Sequence, residues 1–419
     1  MATNPFVIPG KKAALFAVVA AALGLIFAGY STYDYAEQLD RQVHAVHCSF
    51  IPGAPVSTDA DNPCKTALFS PYSAVMRATW WGGVPISLFA LGAFAFFVGF
   101  GLYLAMGGAQ RSKWASPFYA LASAGPMGAS LVMLYISATH LHVFCKLCVG
   151  IYVASLMLAL AALRVWRVDS HSRDVAMAPT MAADPRRPPP TDGFGKVILW
   201  AAALGAASIL PAFVYVALLP DYRPMLDKCG KLAVANEAHG GLLKIATPHP
   251  IRPVLLFEDP LCPTCKAFHE RIVDEGIFDR LDVTLALFPL DSDCNWMLDR
   301  SLHPGACVVS KAILCGGNDK TRSILEWAFE NQEELTALGK QNPTGLTSKI
   351  AQRWGADISA CVARPSTGVR LNQHLHFAAN NHIPVSTPQM FLGDKRICDE
   401  DTDLGLKYTL AQLAPEVLQ

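Results

Sequence analysis

Five long runs of apolar residues occupy the first half of the chain, whereas the second half alternates short apolar segments with polar ones. Each run is long enough for a helix that crosses the roughly 30 Å of bilayer hydrocarbon, which takes about 20 residues. Their centres contain no Asp, Glu, Lys or Arg, and a charge there would cost roughly 2.5 to 3.5 kcal/mol per residue. We therefore predict transmembrane helices near residues 13–30, 82–106, 115–138, 147–163 and 197–219.

Basic residues predict the orientation of these helices. Lys11 and Lys12 precede the first span, Arg111 and Lys113 lie between the second and third, and a third basic segment follows the fourth. By the positive-inside rule these segments are cytoplasmic, so the loop 31–81, the start of the fourth span and everything after the fifth are expected outside. A cleaved signal peptide is an alternative interpretation of the first run, and it leaves the downstream orientation unchanged.

The second half shows the pattern of an α/β domain. A short apolar run from residue 253, a helical stretch at 266–275 and a buried strand at 281–290 predict a β-α-β unit. A largely helical region at about 300–380 follows, and then a strand at 389–393 and a final helix. We expect a membrane all-α helical bundle plus an extramembrane α/β domain, divided into 1–169 (membrane domain), 170–196 (polar cytoplasmic linker), 197–219 (fifth helix) and 220–419 (extramembrane domain).

Composition supports the membrane assignment. Of the 419 residues 52% are apolar and only 16% are charged, which places the chain in the membrane class. The formal net charge is zero, so there is no electrostatic footprint of nucleic-acid binding.

The twelve cysteines carry the candidate chemistry. Eleven fall in segments expected outside or at the outer face and none in the basic cytoplasmic loops, which indicates an oxidising compartment. Dithiols exchange electrons by attack of a thiolate on a disulfide, so several that touch one another can form a relay. Three pairs are candidates for such a relay: Cys48 with Cys64, Cys145 with Cys148, and Cys262 with Cys265.

Cys262 lies where a predicted strand passes into a helix. The free N–H groups of a helix N-terminus stabilise a thiolate, so Cys262 is the expected attacking sulfur and Cys265 the resolving one. Pro263 suits the first helical turn because it needs no N–H partner. The alternatives are a structural disulfide or half of a zinc site, but no second ligand pair at metal spacing stands nearby, so we predict no metal.

At these residues the region 228–419 resembles the thioredoxin-like proteins, and its helical insertion makes it most similar to the DsbA-like disulfide oxidoreductases. The resemblance implies that Pro388 is a cis-proline facing the dithiol and that Thr387 lines a substrate groove.

The other two pairs have simpler alternatives. Cys145 and Cys148 open the fourth span at its outer face, where Cys148 is a helical turn deeper and within reach of a lipid-soluble partner such as a quinone. Plain core packing is the alternative for this pair. Cys48 and Cys64 lie in a loop rich in Pro, Gly and Asp that can move between partners, or they form a static disulfide that stabilises by about 3 kcal/mol.

The combined pattern resembles the vitamin K epoxide reductase family over about residues 12–165. It consists of Ser70 six residues after Cys64, Tyr72 eight residues after it, a Gly-Val-Pro-Ile-Ser segment at 83–87 and the Cys-x-x-Cys of the fourth span. Fusion to a thioredoxin-like domain through an extra span matches the bacterial members. For those, the resemblance implies oxidation of the attached domain and reduction of a membrane quinone, either ubiquinone or menaquinone.

The resemblance also implies roles. Cys48 would accept electrons from Cys262, Cys64 would pass them to Cys145, and Cys148 would face the quinone.

Further residues surround the expected quinone site. Ser70 would lie near it, and Tyr152 matches a tyrosine that in some members of the family can hydrogen-bond a quinone oxygen, or else it is an interfacial aromatic anchor. His140 and His142 near Cys145 are either proton carriers or ordinary interfacial histidines.

Two features depart from the family pattern. The loop between Cys48 and Cys64 is longer than the common bacterial form, and Ile86 stands where the vertebrate enzymes present Asn. The second departure weakens the case for vitamin K epoxide as the substrate.

Six cysteines remain in the second half, and full pairing allows 15 connectivities. Structural disulfides are the expected outcome, and Cys294 with Cys307 is a plausible local bridge. The six are Cys229, Cys294, Cys307, Cys315, Cys361 and Cys398.

These predictions describe a thiol:quinone oxidoreductase of the bacterial inner membrane that makes disulfides in exported proteins. Its expected partners are reduced exported proteins in the periplasm, the quinone pool and membrane lipid. One alternative is outward delivery of reductant, which needs cytoplasmic thiols that the loops lack. The other is a redox sensor that does not turn over.

Overall fold

The structure is a computed structural model that describes residues 10–42, 44–51, 62–107, 112–177, 194–235, 237 and 240–419. It divides into two compact units. The first unit comprises Met1–Val75 with Val84–Pro220, and the second comprises Met76–Gly83 with Asp221–Gln419.

The described part of the first unit is mainly helical. Its six α-helices are α1 (Lys11–Glu37), α2 (Pro63–Phe69), α3 (Ile86–Met106), α4 (Ala115–Ile136), α5 (Lys146–Met177) and α6 (Gly195–Leu218). All except the short α2 are long and apolar enough to cross a membrane. The five predicted spans are therefore confirmed as helices.

Glycines let these helices approach closely. A Cβ built on Gly24 of α1 would lie 2.4 Å from the Phe94 ring of α3. One built on Gly92 of α3 would lie 2.0 Å from the carbonyl oxygen of Ala207 on α6. Small residues at such crossings are the usual device of membrane helices, which gain little from the hydrophobic effect and depend on close packing instead.

Helix α5 extends beyond its predicted span and continues to Met177. The residues expected to open the polar linker, from 170 onward, are therefore helical. No Gly or Pro interrupts the sequence 164–177, so the helix has no local reason to end with the hydrophobic run. The rest of the predicted linker, residues 178–193, lies outside the described residues.

A two-stranded hairpin precedes α3. Its strands β1 (Ala74–Val75) and β2 (Val84–Pro85) pair antiparallel. The eight residues between them, Met76–Gly83, belong to the second unit. The sequence contained no signal for this insertion.

A five-stranded sheet organises the second unit. Its strands are β3 (Leu243–Ile245), β4 (Arg252–Glu258), β5 (Leu281–Leu287), β6 (Gln389–Leu392) and β7 (Lys395–Arg396), in the order β3-β5-β4-β6-β7. β4 and β5 are parallel and flank α7 (Pro263–Asp274), whereas β6 runs antiparallel to β4. The predicted β-α-β unit and the strand after Pro388 are thus confirmed.

Helices cover both faces of the sheet, so β4 is buried on both sides. Val254 and Leu256 belong to one apolar core, whereas Leu255 and Phe257 belong to another. This central parallel pair with an antiparallel neighbour, and with helices inserted after β5, is a thioredoxin-like arrangement. The helices of the predicted helical region and the final helix are α8 (Ala306–Glu330), α9 (Gln332–Gln341), α10 (Pro343–Trp354), α11 (Ala356–Val362), α12 (Pro365–Asn380) and α13 (Leu406–Leu413).

Candidate redox sites

The soluble dithiol lies at the turn from β4 into α7. Cys262 is the residue that caps α7, in an extended conformation, and Pro263 occupies the first helical turn as predicted. Cys262 is 4% exposed and Cys265 is fully buried, and both are free thiols. The more accessible sulfur is therefore the one that the sequence predicts to attack.

The loop before β6 completes this site. The Thr387–Pro388 peptide bond is cis. The Cys262 Sγ lies 2.8 Å from Thr264 Oγ1 and 3.6 Å from the carbonyl oxygen of Thr387. Thr264 also donates its hydroxyl to that carbonyl oxygen, at 2.9 Å. The structure thus brings Thr387 and Pro388 to the dithiol, 125 residues away in sequence.

The two thiols differ in acidity. A hydrogen bond from Cys265, assisted by Thr264 and Thr387, lowers the pKa of Cys262 to about 6 against the opposing effect of burial. Burial, together with the adjoining Cys262, raises the pKa of Cys265 well above its ordinary value. Because the thiolate is the nucleophile, Cys262 reacts first at neutral pH and Cys265 second.

Glu258 is a component of this site that the sequence analysis did not identify. It ends β4, is fully buried, and neither carboxylate oxygen has a hydrogen-bond partner among the described residues. Burial raises its pKa to about 7, and its charge in turn raises the pKa of Cys265. An acidic residue at the end of an otherwise apolar strand was the available signal.

A pair formed by a buried aspartate and a partly buried histidine lies beside the dithiol. The Asp259 carboxylate accepts hydrogen bonds from the backbone of Leu261 and Leu290, both at 2.7 Å, and lies 2.7 Å from Nδ1 of His303. Burial lowers the pKa of His303, but the bond to Asp259 and the nearby Cys262 raise it by more. A cationic His303 is therefore favoured when Cys262 is a thiolate.

In the first unit, Cys48 and Cys64 form a disulfide. Cys64 is buried in the first turn of α2, and its backbone N–H donates to the capping side chain of Asn62 at 2.9 Å. Residues 52–61 of the loop between the two cysteines lie outside the described residues. Cys145 and Cys148 are free thiols at the start of α5, and the Cys148 N–H lies 3.4 Å from the Cys145 sulfur.

A cavity of about 630 Å³ lies within the first unit. Its wall is mostly apolar and contains three cysteines of the predicted relay, Cys64, Cys145 and Cys148. Ser70 and Tyr152, which the sequence analysis placed at the quinone site, lie on the same wall. The structure therefore gathers five predicted residues around one space inside the helical bundle.

The two candidate proton carriers, His140 and His142, do not lie with the five residues on the cavity wall. Among the described residues, the cavity wall includes neither His140 nor His142. His140 packs instead against the ring of Tyr72, with 5.6 Å between ring centroids.

The cavity wall does include Asp34, whose carboxylate lies 2.5 Å from Nδ1 of His47, the residue before Cys48. This pair is not recognisable in the sequence, because an acid near the end of an apolar helix has no pattern that identifies its partner.

The remaining cysteines pair within the second unit. The bridges are Cys229–Cys398, Cys294–Cys307 and Cys315–Cys361, so the suggested Cys294 bridge is present. Among the described residues one group has the proximity of metal ligands, Cys229, Cys398 and Glu400. Both of its sulfurs are consumed in a disulfide, which leaves them unable to bind an ion.

Comparisons with known proteins give a family match for one part of the chain and similar solved structures for another part. Residues 15–163 match the family model described as Vitamin K epoxide reductase family. A search of the curated proteins finds no match.

Three of the solved structures that are similar to this chain are NmDsbA1, DsbA and ScsC, and the first two are described as oxidoreductases. NmDsbA1 from N. meningitidis is 18% identical, with 42% of this chain and 91% of that chain covered and a TM-score of 0.30. DsbA from Xylella fastidiosa is 20% identical, covering 42% and 94%, with a TM-score of 0.31. ScsC from Proteus mirabilis is 16% identical, covering 52% and 96%, with a TM-score of 0.26.

The thioredoxin-like assignment of the second unit rests on its own strand order, its Cys-x-x-Cys and its cis-proline. The chain is a membrane protein with several apolar helices, and its chemistry is that of a thiol-disulfide oxidoreductase. Residues 15–163, which match the vitamin K epoxide reductase family model, are joined in one chain to a thioredoxin-like domain.

Proposed function

We propose that this protein is a membrane thiol:quinone oxidoreductase that generates disulfides in exported proteins. The observation that carries the proposal is a cavity whose wall includes Cys64, Cys145 and Cys148 together. A static loop disulfide has no reason to share a cavity with a membrane-face dithiol, whereas consecutive members of a relay must meet.

The relay consists of thiol-disulfide exchanges. A reduced substrate dithiol attacks the oxidised Cys262–Cys265 pair and leaves as a disulfide, so that pair becomes a dithiol. The Cys262 thiolate then attacks Cys48, which releases Cys64, and Cys265 displaces Cys48 to close its own disulfide. In the same way Cys64 passes the electron pair to the Cys145–Cys148 disulfide. Each exchange conserves two electrons and two protons.

The first transfer gains from the covalent connection between the units. A tethered partner has an effective concentration of about millimolar, so no diffusional search limits the encounter.

The cavity wall suits a quinone. A mostly apolar space of a few hundred Å³ with a small number of polar groups is typical of a site for a small apolar ligand. Ser70 and Tyr152 place hydroxyl groups on that wall beside Cys148. When bound, a quinone supplies a two-electron, two-proton acceptor for the Cys145–Cys148 dithiol, and either ubiquinone or menaquinone fits this chemistry.

The proposed location follows from the charge distribution. Basic segments flank the ends of the apolar helices that we assign to the cytoplasm, so the thioredoxin-like unit is periplasmic in a bacterial inner membrane. Substrate proteins would meet Cys262, the less buried of the two thiols, beside Thr387 and Pro388.

Replacing Cys148 with Ala tests the proposal. Purified Cys148→Ala, given a reduced substrate peptide and a soluble quinone, should produce no quinol, because Cys145 alone cannot form the disulfide that releases the electron pair. The same sample should still reduce the Cys48–Cys64 disulfide through Cys262, which is the internal control for a folded protein. Quinol production near that of the unmodified protein would exclude Cys148 from the site, and an unmodified protein that never turns over would indicate a sensor.

A further inference from the structure

Residues Met76–Gly83 form part of the thioredoxin-like unit although they come from the loop before α3. Two turns shape the segment, and Gly82 and Gly83 both have positive φ, at 70° and 77°, which only glycine adopts without strain. The segment is bounded by β1 and β2, so it is the tip of a hairpin whose strands belong to the first unit.

A buried ion pair fixes one end of this tip. Arg77 Nη1 lies 2.8 Å from Glu275 Oε1, and the two side chains are only 3% and 5% exposed. Lys407 approaches the other Glu275 oxygen at 3.3 Å. Charges this far from water are tolerated only when paired, and removing one partner is strongly destabilising.

An indole ring fixes the other end. Trp81 is 2% exposed, donates its Nε1–H to Asp401 Oδ1 at 2.8 Å, and stacks on Tyr222 with 4.9 Å between ring centroids. Gly405 makes room for it, since a Cβ there would lie 2.3 Å from the indole nitrogen. Buried Trp side chains contribute much of the binding energy at protein interfaces.

From these contacts we infer that Met76–Gly83 is a tether that holds the thioredoxin-like unit on the first extramembrane loop, independently of the peptide connection at Pro220. The inference concerns assembly and does not depend on electron transfer. Eleven residues lie between Cys64 and Met76, so the chain that joins the loop disulfide to this tether spans at most about 40 Å when fully extended.

A cleavage experiment tests the tether in the full chain. A specific protease site is inserted between Pro220 and Asp221, and an affinity tag is added after Gln419. Cys262→Ala and Cys265→Ala are present throughout, so that no mixed disulfide joins the halves. After cleavage in detergent and capture on the tag, the N-terminal fragment should be recovered in equal amount.

Two variants should release it. Arg77→Ala with Trp81→Ala should weaken retention at least about a hundredfold, because it removes the buried pair and the indole. Gly405→Ala leaves the segment unchanged but fills the indole's space, and it should release the fragment as well.

The matched control replaces exposed residues of the same types, Arg223→Ala with Trp296→Ala, and should retain the fragment. Resistance of the captured C-terminal fragment to trypsin shows that a variant is folded. Two results overturn the tether: separation of the halves in the unmodified sequence, or retention in both releasing variants. If the Arg77 and Trp81 double variant is digested, Gly405→Ala decides alone.

Discussion

The carboxyl group of Glu258 is ionisable and buried, and no hydrogen bond from the described residues offsets its burial. Its pKa is raised from 4.5 to about 7, so between these values the folded protein binds a proton that the unfolded chain has released. The stability contributed by the neutral carboxyl is complete below pH 4.5 and is lost as the pH rises through about 7. Above pH 7 the ionised group costs about 3 kcal/mol.

Glu258→Gln should therefore raise the stability of the thioredoxin-like unit at pH 8 and leave it nearly unchanged at pH 4.5. Thermal unfolding of both proteins in detergent at several pH values measures this difference. Glu330→Gln, at an exposed position, is the control and should show no such trend. An equal effect of Glu258→Gln at both pH values would contradict the burial argument.

The stability that His374 contributes depends on pH in the opposite direction. Its Nδ1 accepts from the Leu287 N–H and its Nε2 lies 2.9 Å from the Gly241 carbonyl oxygen, and burial lowers its pKa from 6.5 to about 4. The contribution of the neutral ring to the stability of the folded protein is complete above pH 6.5. It is lost as the pH falls through about 4, and the total loss is about 3 kcal/mol.

We expect His374→Gln to be destabilising at pH 7 and progressively less so towards pH 4, because the variant has no proton to take up. The exposed His376→Gln on the same helix serves for comparison. A destabilisation by His374→Gln that stays constant from pH 7 to pH 4 would show that the ring is not buried as a neutral base. Since Glu258 and His374 act in opposite directions, the unmodified protein should vary little between about pH 4.5 and 6.5.

At the residue scale, the sequence predicted the site residues that belong to a motif. It did not predict those that come together only in the folded structure. Cys262, Cys265 and Pro388 were recognisable from neighbours in sequence or from a family pattern. His303 and Asp259 are 44 residues apart and meet only after folding. No local pattern connects them.

Among the elements, α3 and α6 are in closest contact at Gly92. A Cβ there would overlap the Ala207 carbonyl, which belongs to helix backbone and cannot rotate away. Leu204 and Ser208 of α6 also line the cavity, so a displaced α6 would change the cavity wall.

Gly92→Ala should thus lower stability by roughly 1 to 3 kcal/mol, the usual cost of overpacking, and should also reduce quinone turnover. Gly99→Ala on the same helix has open space around its Cβ and should be neutral or slightly stabilising. Thermal unfolding and turnover of the two variants in detergent provide the comparison. If Gly92→Ala is as stable as Gly99→Ala, the helices are not packed as closely as described.

The elements were largely predictable because hydrophobic runs and strand-helix alternation are local signals. All five apolar helices and the β-α-β unit were predicted. The edge strands β3 and β7 were not, since segments of three and two residues carry almost no periodicity. The continuation of α5 to Met177 was missed because hydrophobicity marks the span and not the helix.

For the whole molecule, the relay requires Cys262 to reach Cys48. In Cys265→Ser the adduct between these two sulfurs cannot be resolved and should accumulate. After cleavage between Pro220 and Asp221, the halves should stay joined on a denaturing gel without reductant and part when reductant is added. Denaturation removes the contribution of the tether, so only a covalent bond can keep the two halves joined on the gel.

The control adds Cys48→Ala to Cys265→Ser, and the joined band should disappear. Persistence of the band without Cys48, or its dependence on Cys145, would show that the loop disulfide is a static bridge.

Neither the cavity nor the insertion of Met76–Gly83 could be predicted from the sequence, because both arise from contacts between distant segments.

The three bridges of the thioredoxin-like unit have a consequence for how a cell acquires this protein. Cys229–Cys398 has a sequence separation of 169 residues and cannot form until Cys398 has been made. A newly exported copy is thus itself a reduced protein awaiting oxidation, and under the proposed function the enzyme that oxidises it is an older copy of the same kind. Production would be self-propagating: a cell emptied of mature molecules should recover slowly at first and then faster, as each finished molecule matures the next.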